Sequence, residues 1–157
     1  KGVDVVVHAA PDLWVDVDRA RCGQALANLV DNALRHTPPG GRVTMSARAD
    51  GGKLGGKLRS TSGRADRDGG AARSGGVVVI EVADSGDGIA PEHLPHVFER
   101  FYRVDTARDR AHGGFGIGLA IAKALTVAHG GTLTAASGGA GRGAVFTLTL
   151  PAQSVPN

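Results

Sequence analysis

Two asparagines, Asn28 and Asn32, stand four residues apart in this 157-residue chain. Apolar residues around them recur at the helical spacing, which predicts a helix over residues 18–36. On that helix both amides lie on one side, an arrangement that suits a Mg²⁺ ion retaining several of its waters. Arg35 and His36 extend the same polar stripe, and Arg35 lies where it could meet a phosphate. A solvated helix face would explain the pattern equally well.

A carboxylate and two glycines follow a valine-rich stretch. Val77–Ala83 has the composition of a buried strand, so Asp84 is predicted to lie directly after a strand end. Gly86 and Gly88 would let the backbone approach a planar ligand, and the carboxylate can accept a hydrogen bond from an exocyclic amine. A plain turn would account for the two glycines as well.

A second group of glycines precedes a helical pattern at residues 117–129. That helix is entered through the run Gly114-Phe115-Gly116-Ile117-Gly118-Leu119. The N–H groups of a first helical turn have no partner within the helix, so they favour a phosphate. Spaced glycines alone are a weak signal.

The order of the elements predicts an α+β fold. Asp18 is a candidate N-cap for the first helix, and the turn residues 37–41 would end it. Short helical pieces are predicted from Pro91 onward. Further strands are predicted at Val3–His8, Val15–Val17, Arg42–Ala49, Thr132–Ser137 and Ala144–Leu150. Since helices and strands do not alternate strictly, we expect a two-layer α/β sandwich, with helices on one face of a mixed, mostly antiparallel sheet.

Basic charge is concentrated in one glycine-rich segment, residues 51–76. It holds nine glycines, six basic and two acidic side chains, and the rest of the chain has a net charge of −1. Such a composition cannot bury enough apolar surface to offset the entropy lost on ordering, so we predict a flexible insertion in a hairpin connection rather than a basic tether. A folded part without excess positive charge argues against a nucleic-acid partner.

Several features argue against other classes of protein. The single cysteine, Cys22, excludes a disulfide framework and is expected to be a small core residue. No apolar stretch is long enough to span a membrane and the start does not look like a signal peptide, so we expect a cytoplasmic chain without direct membrane contact. If the parent or a partner is membrane-bound, the membrane part lies outside this sequence. His93 and His96 flank Pro95, which interrupts the spacing of zinc-protease ligands, and we interpret them as surface histidines.

Five motifs in this order resemble the catalytic ATP-binding domain of bacterial sensor histidine kinases, in the GHKL superfamily with DNA gyrase, Hsp90 and MutL. They are Asn28…Asn32, Asp84-x-Gly86-x-Gly88, Phe98-Glu99-Arg100-Phe101-Tyr102-Arg103, Gly114-x-Gly116-Ile117-Gly118-Leu119 and Gly141-x-Gly143. The resemblance covers residues 3–151 apart from the insertion, so it implies one domain over 1–151 and a tail over 152–157. That family has the Bergerat ATP-binding fold, a two-layer sandwich in which ATP lies between the helices under a lid.

The resemblance implies a site for ATP and Mg²⁺ formed by the first four motifs, and Gly141-x-Gly143 looks like the family's last glycine motif, a turn that enters the strand Val145–Leu150. The adenine amino group would be read by Asp84. The base pocket would be shaped by Gly86, Gly88 and Ile89. Mg²⁺ would be bound by Asn32. Supporting contacts to the nucleotide would come from Asn28, Arg35 and His36.

A lid over about Arg103–Gly113 is also implied. Phe98 and Phe101 would anchor it, although ordinary core packing would explain both. Arg103 and Arg108 would contact the terminal phosphates, and an exposed arginine without that role is the alternative for Arg108. The remaining nucleotide contacts would come from Gly114, Gly116, Ile117, Gly118 and Leu119. The implied catalytic set is therefore Asn28, Arg35, Arg103 and Arg108.

The implied activity is transfer of the γ-phosphoryl group of ATP to a histidine on a separate dimerisation domain, from which a response regulator receives it. None of the six histidines here precedes an acidic residue, the usual phosphoacceptor context, so we expect that domain in the same parent protein or in a separate subunit. Asn28 stands where hydrolysing members of the superfamily have a glutamate, which implies slow ATP hydrolysis. The alternatives are a serine kinase of the anti-sigma-factor type and a non-catalytic nucleotide-binding module that regulates a partner.

Overall fold

The computed structural model describes residues 2–51, 76–103 and 115–153. Within these ranges the chain forms five β-strands, two α-helices and a short 3₁₀ helix at Leu94–His96. In chain order the elements are β1 (Asp4–Ala9), α1 (Arg19–His36), β2 (Arg42–Asp50), β3 (Val77–Asp84), α2 (Gly118–Ala128), β4 (Thr132–Ser137) and β5 (Ala144–Pro151). No helix of the described ranges is both long and apolar enough to cross a lipid bilayer.

Helix α1 begins and ends where its capping residues predict. The Asp18 carboxylate accepts a hydrogen bond from the Arg21 N–H at 2.9 Å, as an N-cap does. At the other end Thr37 turns to extended backbone, and its buried hydroxyl donates to the Ala33 carbonyl at 2.6 Å. The predicted N-cap and the predicted end at His36 are both confirmed.

The sheet has the strand order β1-β2-β3-β5-β4. β1 runs parallel to β2, and the other three pairs are antiparallel, which confirms a mixed, mostly antiparallel sheet. The short strand predicted at 15–17 is reduced to one bridge, between Val15 and Ala152. Asp84 is the last residue of β3 rather than the residue after it.

Both helices cover the same face of this sheet. Alternate residues of β5 are buried, as period-2 geometry requires for a strand with one covered face. These residues share one core with Ala25, Leu29 and Ala33 of α1 and with Ala122 of α2. Cys22 lies half-buried at the margin of that core, and burial raises the pKa of its thiol. The two-layer sandwich is therefore confirmed.

A histidine joins the two helices at the end away from the polar stripe. His129, the C-cap of α2, has its Nδ1 2.8 Å from the Leu125 carbonyl oxygen, and its Nε2 accepts the Asp18 N–H at 3.2 Å. Because a carbonyl can only accept, Nδ1 carries the proton, and the imidazole is the neutral tautomer with Nε2 free to accept. The start of α1 and the end of α2 are thus held together.

Strands β2 and β3 are adjacent and antiparallel, with Asp50 paired to Val77. The insertion predicted at 51–76 therefore connects the two strands of one hairpin, and residues 52–75 lie outside the described residues. Its predicted flexibility remains a prediction.

Replacing residues 51–76 by a four-residue turn should raise the melting temperature by a few degrees and leave nucleotide affinity unchanged. The paired ends need only a short turn, and the smaller loop-closure entropy favours the folded state by about 1–2 kcal/mol. Circular dichroism melting and calorimetric titration with a nucleotide measure the two quantities. A large fall in melting temperature would show that the insertion packs on the domain.

Candidate functional site

A cavity of about 520 Å³ lies between α1 and the start of α2 and extends to the end of β3. Its size is within the range of about 300–1,000 Å³ typical of small-molecule sites. Its lining is mixed, with charged and amide side chains facing apolar ones such as Leu119 and Phe146. The cavity can therefore take a ligand that combines a flat apolar part with polar groups.

The polar stripe of α1 forms one wall of this cavity. All four residues that the sequence singles out line it, namely Asn28, Asn32, Arg35 and His36. Asp31 lines it as well, although the sequence pattern did not select it. Since a helix rises by 1.5 Å per residue, the stripe from residue 28 to residue 36 spans about 12 Å. A ligand of extended shape can contact it along its length.

Asp84 enters the cavity with one carboxylate oxygen already engaged. Its Oδ1 accepts the N–H of Gly86 at 2.9 Å and that of Ala144 at 3.2 Å. Burial raises the pKa of Asp84, while these two N–H groups and nearby His36 oppose the shift. Within the described part of the chain, the other oxygen, Oδ2, accepts no hydrogen bond. It can accept one from a ligand amine.

Three glycines allow close backbone contacts around the loop that follows Asp84, residues 85–88. A Cβ on Gly86 would overlap the His36 carbonyl oxygen, and one on Gly143 would overlap that of Asp84. Gly88 has φ +71°, and its Cβ would overlap the Gly139 carbonyl oxygen. Gly88 lines the cavity, whereas Gly86 lies behind it. These glycines are needed because the backbones of α1, the loop and the β4–β5 turn meet without room for side chains.

Backbone hydrogen bonds complete the same junction. The Asp87 N–H donates to the His36 carbonyl at 3.1 Å, and the Gly141 N–H donates to Asp87 at 2.6 Å. The Gly143 N–H donates to the Gly86 carbonyl at 3.1 Å. Asp84 is therefore fixed at the C-terminal end of α1, which defines one end of the cavity.

The start of α2 defines the opposite end. Gly116, Gly118 and Leu119 line the cavity, and the N-cap residue Ile117, which does not line it, makes no side-chain capping bond. Among the residues that the structure describes, no side chain caps the N–H groups of the first turn, and these groups suit an anion. The Asn28 side chain lies 3.8 Å from the position of a Gly118 Cβ, so α1 and α2 meet at this point.

Asn28 carries an unsatisfied donor at this end. Its Nδ2 is buried and has no hydrogen-bond partner among the residues that the structure describes. Leaving such a group unpaired costs about 1–3 kcal/mol, so this donor is suited to an acceptor that a ligand would bring. A phosphate oxygen at the α2 N-terminus fits that requirement.

Charged side chains of both signs face the cavity. Arg35 and Arg103 supply the positive charges, and the carboxylates belong to Asp31, Asp84 and Asp87. Arg108 and Gly114, which the resemblance adds to the site, lie outside the described residues. The two arginines suit phosphate groups, and the oxygen-rich remainder suits an amine or a hard cation.

The two phenylalanines expected to anchor a lid do not line the cavity. Phe98 packs edge-on against Phe146, with ring centroids 6.2 Å apart, and the Lys123 ammonium lies 4.6 Å from the centre of its ring. This is the core packing that the sequence left open as its alternative. Phe101 is 72% exposed and has φ +66°, and its N–H donates to the Gly116 carbonyl at 2.8 Å. This hydrogen bond of Phe101 therefore links the segment that precedes residues 104–114 to the segment that follows them.

One interpretation from the sequence is corrected by the structure. His93 is not a plain surface histidine, because it lines the cavity and its Nδ1 lies 2.8 Å from the Tyr102 hydroxyl. His96 does remain largely exposed, beside Glu99. The contact between His93 and Tyr102 follows no helical or strand period, so no sequence pattern could have indicated it. Other lining residues that the sequence analysis missed include Ala90, Val97, Phe115 and Ala140.

The oxygen atoms that line the cavity could bind Mg²⁺ if a bound ligand supplied part of the coordination shell of the ion. In the described ranges no group of three or more His, Cys, Asp or Glu side chains could hold a metal ion. Asn32 offers a neutral amide oxygen, and Asp31, the preceding residue, lines the same wall. Mg²⁺ is commonly bound by one or two protein oxygens together with waters and substrate phosphates. A phosphate-bearing ligand would therefore bring the ion with it.

Comparison with known proteins identifies the family to which this chain belongs. The profile of the family described as histidine kinase-, DNA gyrase B- and HSP90-like ATPase matches residues 17–154. The sensor histidine kinase WalK of Bacillus subtilis strain 168 is 39% identical over 140 residues, which are 89% of this chain and 19% of WalK. The sensor-like histidine kinase SenX3 of Mycobacterium tuberculosis strain H37Rv is 40% identical over 150 residues, 96% of this chain and 30% of SenX3. The chain thus spans less than a third of these relatives.

Solved structures agree with the sequence relatives. The mycobacterial sensor histidine kinase MprB superposes with a TM-score of 0.69 at 27% identity, covering 98% of this chain and 85% of that one. Full-length ShkA, solved in complex with AMPPNP, gives a TM-score of 0.71 at 28% identity, covering 99% of this chain and 27% of ShkA. The chain therefore belongs to the histidine kinase-, DNA gyrase B- and HSP90-like ATPase family, in which it corresponds to the ATP-binding catalytic domain of sensor histidine kinases.

Proposed function

We propose that this domain binds Mg-ATP in the cavity between α1 and α2 and presents the γ-phosphoryl group to a histidine on a separate phosphoacceptor domain. The observation that carries the proposal is that the cavity has a free hydrogen-bond acceptor at one end and free hydrogen-bond donors at the other. Asp84 offers a free acceptor at one end, and the Asn28 donor and the α2 N-terminus offer free donors at the other. Adenine and a polyphosphate chain satisfy these ends in that order.

Several residues that line the cavity then have defined roles in binding ATP. Asp84 accepts a hydrogen bond from the adenine amino group, beside Gly88 and Ile89. Asn28 and the first turn of α2 donate to phosphate oxygens. Arg35 and Arg103 place positive charge near the phosphates, and Arg108 is proposed to join them from the lid. Such positioning and charge stabilisation supply most of the catalysis in phosphoryl transfer, because little covalent chemistry is required of the protein.

Asn32 is the residue proposed to hold Mg²⁺. The ion, when bound, neutralises charge on the phosphate oxygens as the phosphoryl group leaves. Asn32 contributes an amide oxygen to it without adding negative charge to the cavity. Asn28 on the same wall binds the neighbouring phosphate.

The phosphoacceptor histidine is proposed to belong to a dimerisation domain of the same parent protein or of a separate subunit. A response regulator would then accept the phosphoryl group, as in two-component signalling. The relatives favour this activity over the serine-kinase and non-catalytic alternatives, because they are named as sensor histidine kinases. Because ATP and response regulators are found in the cytoplasm, we also place the domain there.

Labelling with γ-labelled ATP tests this function. The domain alone should remain unlabelled, because none of its histidines has the context of a phosphoacceptor. Adding a histidine-bearing dimerisation domain as a separate chain should give label on that chain, stable to alkali and lost in acid. Acid-stable label on this domain itself would overturn the proposal in favour of a serine kinase.

ATP hydrolysis by the domain alone should be slow compared with that of dedicated ATPases. The amide of Asn28, at the position where hydrolysing relatives carry a glutamate, cannot take a proton from water at neutral pH. Asp31 is the nearest carboxylate along α1, but it is exposed to solvent. Steady-state phosphate release measures the rate, with Asp31→Asn as the control. Rapid release that Asp31→Asn abolishes would contradict this expectation.

A further inference from the structure

Tyr102 lies between two imidazole rings at the wall of the cavity. Its hydroxyl is 2.8 Å from the His93 Nδ1, and its ring is 5.3 Å from that of His96. His96 directs its own Nδ1 to the Glu99 carboxylate at 2.7 Å. Of the two histidines, only His93 therefore forms a hydrogen bond with Tyr102.

The bond adds a side-chain link between two parts of the cavity wall that are otherwise connected only through backbone hydrogen bonds and a ring contact along residues 93–102. His93 precedes the short 3₁₀ helix, whereas Tyr102 follows it and is bonded to Arg103. All three residues line the cavity. Because Tyr102 is bonded directly to Arg103, a hydrogen bond that holds the Tyr102 side chain limits the positions that the Arg103 backbone can take.

The backbone at this point needs support. Phe101 has φ +66°, a conformation that costs a non-glycine residue about 1–3 kcal/mol and persists only where surrounding contacts hold it. Gly116 supplies one such contact by accepting the Phe101 N–H, and it packs against the backbone of Phe101 and Tyr102. The Tyr102 N–H makes only a long bond of 3.4 Å, to the Glu99 carbonyl. The His93 imidazole provides side-chain support for the same segment.

We propose that His93 is a positioning residue for nucleotide binding, because its hydrogen bond to the Tyr102 hydroxyl holds Tyr102 and Arg103 against the cavity. This inference rests on the proposed placement of ATP in that cavity. It differs from a purely structural role in one measurable respect. Loss of the bond should weaken nucleotide affinity at temperatures where the domain is fully folded.

A double-mutant cycle on His93 and Tyr102 tests the inference, with AMPPNP and Mg²⁺ as the probe in calorimetric titrations. His93→Leu and Tyr102→Phe should each weaken affinity about three- to tenfold, the effect of one lost hydrogen bond, and the double variant should be no weaker than either. His93→Asn places an amide near the Nδ1 position and should stay within twofold of the unchanged chain. His96→Leu, at the last residue of the 3₁₀ helix, removes an imidazole that contacts the Tyr102 ring but not its hydroxyl, and as the matched control it should not change affinity.

Tyr102 also provides its own spectroscopic probe, because it is the only tyrosine in the chain. Incorporation of 3-fluorotyrosine should give one ¹⁹F resonance, which should shift on addition of AMPPNP and shift less in His93→Leu. Melting temperatures identify any variant that is not folded at the titration temperature. If His93→Leu is such a variant, Tyr102→Phe, which removes only the hydroxyl, tests the loss of the bond, and His93→Asn tests its rescue.

Two outcomes would overturn the inference. Additive losses in the double variant would show that the residues act independently, and unchanged affinity with a lowered melting temperature would show a structural role alone. If the unchanged chain fails to bind AMPPNP, or if Asp84→Asn binds it equally well, the proposed nucleotide site fails and this inference with it. If the chain without substitutions and His93→Leu both bind AMPPNP normally, the positioning role of His93 is wrong and the proposed nucleotide site still stands.

Discussion

Asp84→Asn should weaken the binding of AMPPNP about 10- to 100-fold. One carboxylate oxygen is held by the N–H groups of Gly86 and Ala144, so the oxygen of an asparagine must occupy that position. Its NH₂ group then replaces Oδ2 and faces the adenine amino group, a donor against a donor. Hydrogen bonds to charged groups contribute about 1.5–3 kcal/mol, which corresponds to this range of affinity. Calorimetric titration measures it directly.

Asp87→Asn is the matched control for this change. Asp87 also lines the cavity, but its carboxylate makes only a 3.9 Å contact with His36, so we expect little loss of affinity. Equal losses in the two variants would mean that charge, rather than the acceptor at Asp84, governs binding. Unchanged affinity for Asp84→Asn would remove the adenine assignment altogether.

The pH dependence of binding gives a second measure of the same group. Burial raises the pKa of Asp84 above 3.8, and a proton on Oδ2 would remove the acceptor. Affinity should therefore fall as the pH is lowered through that raised pKa, and Asp84→Asn should lack this component while sharing any titration of the nucleotide. A raised pKa means that Asp84 binds its proton more tightly in the folded state than in the unfolded chain. Ionisation of Asp84 therefore lowers the stability of the fold as the pH rises from the unfolded-state pKa to the folded-state pKa. Because Asp84→Asn has no such loss, the substitution should not lower the melting temperature at neutral pH.

Asn32→Asp should reduce the rate of phosphoryl transfer to the partner histidine at least tenfold. The substitution removes the amide donor and adds a negative charge to a cavity that already holds Asp31, Asp84 and Asp87. Like charges beside a polyphosphate disfavour its binding, and changes around a metal ligand commonly cost 10- to 100-fold in affinity or activity. Transfer rates at several Mg²⁺ concentrations, together with AMPPNP titrations in the absence of metal, separate the two effects.

Asp31, the neighbour of Asn32, provides a control in which the charge of the cavity changes in the opposite direction. Asp31→Asn removes one negative charge from the same wall, so metal-free AMPPNP should bind equally well or more tightly. Asn32→Asp should bind it more weakly. A transfer rate that stays normal in Asn32→Asp at saturating Mg-ATP would contradict the proposed role of Asn32.

Local patterns in the sequence determined the elements and one wall of the site. The N-cap at Asp18, the stop after His36 and the two stripes of α1 depend on contacts within a few residues, which helical geometry fixes. Five of the six predicted strands were located to within one residue at each end because their apolar content reflects burial on a pleated sheet, whereas the one predicted at 15–17 is a single bridge. The same periodicity placed Asn28, Asn32, Arg35 and His36 on a common face, and all four line the cavity.

The sequence did not determine how separate segments meet. Gly86 and Gly143 looked like turn or ligand residues, but the structure requires them where backbones from distant parts of the chain approach. One of the two hydrogen bonds that fix Asp84 comes from Ala144, sixty positions along the chain. The bond between Tyr102 and His93 joins the two ends of a segment that contains only a short 3₁₀ helix. These contacts have no sequence period, because they depend on how the sheet pairs and how the helices pack on it. Only the tertiary structure could decide which oxygen of Asp84 stays free, and that free oxygen is the feature on which the proposed recognition of adenine depends.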